Sequence, residues 1–106
     1  MLILPIKKKW FDMIKSGEKK QEYREIKPYW TKRFLSELNK RSITCNFSEE
    51  DIIGSRYFVI FKNGYKRNSP QIKCNIELHK GYGKPEWGAE EGKKYYILEI
   101  LEVEDG

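Results

Sequence analysis

Apolar and polar positions change period several times along the chain, and each change marks an element. Met1 to Leu4 is a short apolar run and predicts a strand. Pro5 suits the first turn of a following helix, where a missing N–H has no intrahelical partner. Ile6, Trp10, Met13 and Ile14 then recur at helical spacing, with Lys7, Lys8, Lys9 and Asp12 mostly on the other side. Gly17 is placed to end this helix in a left-handed conformation. From Lys20 to Ile26 the pattern becomes a polar strand, with Glu22 and Arg24 on one face and Gln21, Tyr23 and Glu25 on the other.

Pro28 opens a second helix in which Trp30, Phe34 and Leu38 recur every four residues and Leu35 widens the stripe. Core packing is the expected role of Trp30, and of Trp10 in the first helix. Residues 39–55 are mixed and loop-like, although Ser48 with Glu49, Glu50 and Asp51 can cap a short helical turn. Arg56 to Lys62 has apolar residues on both faces, which predicts a central strand. Asn63-Gly64 signals a tight turn. Ile72, Cys74, Ile76 and Leu78 alternate with polar residues, the pattern of a half-buried strand. A glycine-rich loop from Gly81 to Gly92 precedes a final strand from Tyr95 to Val103. About five or six strands and two early helices predict an α+β fold, a small barrel-like mixed sheet flanked by both helices.

Length narrows this to a single domain spanning residues 1–106, since 106 residues leave almost nothing from which to build a second core. Aromatic residues at 14% are too many for a disordered chain. The apolar runs fit neither a membrane span nor a signal peptide, so the expectation is a cytoplasmic protein without a membrane partner. Net charge is +5, unevenly divided. Residues 1–41 carry 12 basic and 5 acidic side chains, net +7, whereas residues 85–106 are net −5. A basic first half suits a polyanion, nucleic acid above all, or an acidic protein partner.

Cys45 and Cys74 match no disulfide scaffold, and Cys74 reads as a buried thiol. One histidine and two scattered cysteines make no convincing zinc site, and His79 reads as a surface strand residue. Gly81 to Lys84 lacks the spacing of a phosphate-binding loop. Neither a metal nor a cofactor is expected.

The stretch from Gly17 to Arg24 concentrates the chemistry. A glycine turn puts Lys19 at its mouth, where the stem need not pack. Glu22 and Arg24 follow as neighbours on one strand face. A carboxylate between two cations stays ionised and orients either one. The set offers a point cation, a planar fork donor and an acceptor, suited to a phosphate or the edge of a base.

Gly17, Lys19, Glu22 and Arg24 fit the G-x-K-x-x-E-x-R signature of ASCH domains, small members of the PUA-like superfamily. The chain also resembles compact phage and bacterial ASCH proteins in the helix from Trp10 to Ser16 and in Asn63-Gly64-Tyr65. The same holds for the run Gly83-Lys84-Pro85-Glu86-Trp87-Gly88 and the closing Tyr95-Tyr96-Ile97-Leu98. The resemblance implies a β-barrel with a cleft beside the signature strand and an RNA or nucleotide ligand. Some members are amidohydrolases acting on acylated cytidine, and others are described as nucleases. In the amidohydrolases a Lys, a Thr and a Glu act together. Lys19 matches the Lys, but Glu22 stands where the Thr would be, and a carboxylate cannot replace a hydroxyl nucleophile.

The leading expectation is therefore an RNA- or nucleotide-binding module. Its ligand contacts would come from Lys19, Lys20, Glu22, Tyr23, Arg24, Tyr65 and Trp87, with Lys7, Lys8 and Lys9 adding phosphate contacts. Trp87 either plugs the barrel end or lines the cleft. The alternative is a small hydrolase in which Lys19 and Glu22 act with Glu77 as a second carboxylate, although Glu77 also reads as a solvent-facing strand residue.

Overall fold

The computed structural model describes residues 1–42 and 46–104. Cys45 lies outside the described residues. The order of elements is β1 (Leu2–Pro5), α1 (Lys8–Ser16), β2 (Gln21–Glu25), α2 (Pro28–Asn39), a 3-10 turn (Glu49–Ile52), β3 (Arg56–Lys62), β4 (Gln71–Tyr82), a second 3-10 turn (Pro85–Trp87) and β5 (Lys94–Glu104). The five strands form one sheet in the order β1-β3-β4-β5-β2, with β1 parallel to β3 and the other pairs antiparallel. The sheet curls into a half-barrel, so the fold is α+β with two helices, as the pattern predicts.

Period two decides which side chains face inward. Val59, Phe61, Cys74, Ile76, Leu78 and Leu98 are fully buried on the inner face, where Phe11, Ile14 and Phe34 of the helices meet them. Phe34 packs edge-on against Tyr96, with ring centroids 5.2 Å apart. A smaller cluster of Tyr23, Ala89, Tyr95 and Ile97 lies on the opposite face of the β5–β2 edge.

Several local expectations change. Pro5 ends β1 instead of opening α1, because β1 is an edge strand and tolerates a residue without an N–H. Asn63-Gly64 is not a two-residue hairpin. Only Gly64 has positive φ, and the Asn63 N–H reaches the Pro70 carbonyl at 2.9 Å, which closes a longer loop. β4 runs past Gly81 to Tyr82, since Gly81 and Tyr82 still pair with Tyr95 and Lys94. Gly17 does end α1, at φ 86°, with its N–H on the Ile14 carbonyl. The expected turn after Ser48 is present, and the Asp51 carboxylate accepts the Ser48 N–H at 2.8 Å.

Cys74 is fully buried, and burial pushes its thiol up to about 12. It is expected to resist alkylation in the folded protein at mildly alkaline pH and to react once denaturant is added. Mass-spectrometric mapping of labelled Cys74 checks this; equal labelling rates in both states would contradict the burial.

Candidate functional site

The turn after α1 builds the site's centre. The Gly17 cap reverses the chain, and the Lys19 N–H bonds the Met13 carbonyl at 2.9 Å. This turns the Lys19 side chain inward, contrary to the expectation of an unpacked stem at the turn's mouth. Lys19 is fully buried. Its Nζ pairs with Glu22 Oε1 at 3.0 Å and donates to the carbonyls of Gln21 (2.5 Å) and Trp87 (2.8 Å). All three donors of the ammonium are thus used. The Trp10 and Tyr23 rings lie 5.2 and 4.9 Å from it. Burial holds the Lys19 pKa below its ordinary value, and the adjacent Arg24 charge adds to this; the charge and hydrogen bond of Glu22 oppose it.

Glu22 is the bridge. Its second oxygen accepts from Arg24 at 2.5 Å, which places one carboxylate between two cations, as the spacing predicts. Arg24 also donates to the Tyr23 carbonyl at 2.8 Å and to the Pro5 carbonyl at 3.2 Å. The last bond ties edge strand β2 to edge strand β1, so the guanidinium draws the two open rims of the sheet together. Its planar face lies over Trp30 at 5.2 Å.

Beside this triad opens a cleft of about 530 Å3. Its walls are aromatic: Trp10, Tyr29, Trp30, Tyr65 and Trp87. Glu22, Tyr23 and Arg24 of β2 also line it, and Lys7 and Arg33 add cations to the lining. Gly88, at φ 100°, lets the loop pass close to Trp10; a Cβ there would sit 3.0 Å from the indole.

Of the residues singled out from sequence, Glu22, Tyr23, Arg24, Tyr65 and Trp87 meet at this cleft. Trp87 lines it and does not plug a barrel end. Tyr23 is buried, so its ring is not the free stacking surface that a ligand contact requires. Its hydroxyl donates to Gln21 Oε1 at 2.7 Å and accepts from the Lys84 N–H at 2.9 Å. Burial raises its pKa. Lys19 lies behind the lining, and Lys20 is exposed outside it. Glu77 is on the other face of the sheet from Glu22: it pairs in register with Glu99, whereas Glu22 pairs with Leu98. There it bridges Arg56 and the half-exposed His79.

Comparison with models of protein families, with curated proteins and with solved structures finds no match to this chain. The site therefore rests on its own geometry. Among the described residues, no cluster of three or more His, Cys, Asp or Glu is placed to hold a metal. No described helix is long and apolar enough to cross a membrane.

Sequence reasoning missed Trp10, Tyr29, Trp30 and Arg33. Trp10 and Trp30 are half-buried and line the cleft; Trp30 also packs against the core, as expected, whereas Trp10 is not part of the core cluster. The available signal was the company they keep: Trp10 follows three lysines, and Trp30 stands three residues before Arg33.

Proposed function

We propose that the protein binds RNA or a nucleotide in the cleft beside β2, as an ASCH-like module of the PUA-like superfamily. The observation that supports this best is the cleft itself: six aromatic residues around about 530 Å3, with Lys7, Arg24 and Arg33 among its lining. That volume lies in the usual range for small-ligand sites. Aromatic walls accept the π-face of any base, and each stacked base contributes about 1–3 kcal/mol. Cations in the lining suit the phosphates.

The buried triad supports binding over turnover. Lys19 has no free donor, both Glu22 oxygens are paired, and Glu77 faces away. Lys19 and Glu22 hold the wall in place, joining β2 to the loop at Trp87.

The expected result is quenching of tryptophan fluorescence by short single-stranded RNA, with affinity that falls as salt rises. Tyr65 is 90% exposed, so Tyr65→Ala leaves the fold intact. It is expected to weaken binding by about 1 kcal/mol, roughly fivefold, at the low end for a stacking residue. Undetectable binding at low salt, or affinity indifferent to salt, would sink the reading.

A further inference from the structure

A second hollow of about 240 Å3 lies along α2 and is lined by Lys32, Arg33, Ser36 and Lys40, with Met1 and Leu2 opposite. Arg33 lines this hollow and the aromatic cleft alike, so the two adjoin across one side chain. Positions 32, 36 and 40 recur every four residues and form one stripe. Lys32, Ser36 and Lys40 are exposed. Among the described residues, Lys32 and Lys40 form no ion pair. Glu37 is the only acid of α2; it also borders the hollow, buried, with Oε1 3.8 Å from Arg41 and 3.9 Å from the Met1 amine, so its charge is already met by two cations.

An ordinary solvated helix face mixes both signs. This one does not. The helix start is also basic: Lys27 is the N-cap and the first turn has no acid, the reverse of what the helix dipole favours. The cations are strung along the axis and do not converge on one point, which suits a chain of charges and not a compact anion. Twelve residues of helix rise roughly 18 Å, room for more than one phosphate.

We propose that this face of α2 is a phosphate track. A single-stranded nucleic acid with one base in the aromatic cleft continues along α2, its phosphates on Arg33, Lys32 and Lys40. The track rests on the cleft being the base site.

Lys32→Gln/Lys40→Gln tests it, because both side chains are exposed and neither lines the cleft. Probes are oligouridylate, oligoadenylate and the matching mononucleotides, each titrated across a salt series. For the oligonucleotides, affinity is expected to fall on the order of tenfold at low salt, and the salt slope to become shallower by about 1.4. Mononucleotide affinity is expected to stay unchanged. Oligonucleotide affinity and slope equal to those of the unmodified protein would overturn the track. Displacement of the oligonucleotide by polyglutamate of matched charge would overturn it in favour of an acidic protein surface. Sensitivity to the double substitution with no tryptophan quenching would also overturn the shared path, and would locate the failure in the cleft and not on α2.

Discussion

Glu22→Ala is expected to lower stability by about 3–5 kcal/mol, because it strands a fully buried ammonium without its carboxylate. Arg24 suffers less. It is partly exposed and keeps the Tyr23 and Pro5 carbonyls. Lys19 keeps only two carbonyls, at Gln21 and Trp87, which cannot balance a full charge in that setting. Lys19→Met is expected to cost less, since it removes the buried charge and leaves Glu22 paired with Arg24.

The sign of the pH dependence follows. The folded-state pKa of Lys19 lies below its ordinary 10.5, and Glu22 is what holds it up. The unfolded chain therefore binds more protons between the folded value and 10.5, so stability rises with pH through that window. Losing Glu22 lowers the folded value further and widens the window. The urea midpoint of Glu22→Ala should thus climb as pH is raised toward 10.5. The climb should be absent from Lys19→Met/Glu22→Ala, which has no lysine to discharge. A flat midpoint difference between the two variants would refute the buried-ammonium account.

Gly83→Val is the second large effect. A Cβ at Gly83 would lie 2.6 Å from two Tyr23 ring carbons and 2.6 Å from the Ala89 Cβ. Tyr23 cannot retreat freely, because Gln21 and Lys84 hold its hydroxyl from two sides. Overpacking at such a point is expected to cost about 3 kcal/mol. The displaced ring would also deform the cleft wall, so RNA affinity should fall with stability. Gly81→Ala is the matched control. Its Cβ would meet only Ile97 Cδ1, at an ordinary 3.5 Å, and its φ is unstrained. Thermal melts of both variants decide the point; an unchanged midpoint for Gly83→Val would show that the wall yields.

These residues also show how far the sequence could be read. Alternation from Ile72 to Leu78 and the doubly apolar run from Arg56 to Lys62 placed β4, though not its end at Tyr82, and β3, because period two is local information. The same logic put Glu22 beside Arg24. It could not bury Lys19, because the carbonyl that receives it is 68 residues away and lysines are rarely interior. Helical spacing turned Trp10 and Trp30 inward. The inner side of each helix borders both core and cleft, and periodicity does not separate the two. Glu77 was correctly set on a polar face. Whether that face is also Glu22's depends on strand order, which no local pattern encodes.

Strand order has one more consequence, for the timing of assembly. Among the described residues β2 pairs with no strand but β5, and Gln21 finds its register partner in Glu99, 78 residues later. During synthesis the signature strand leaves the ribosome early and waits, its ladder unmade, while β3 and β4 zip together behind it. Closing so long a loop is slow and is rewarded only at the end. The cleft is therefore among the last features to form, and nascent chains that lack β5 would present neither the anchored loop at Trp87 nor a closed cleft.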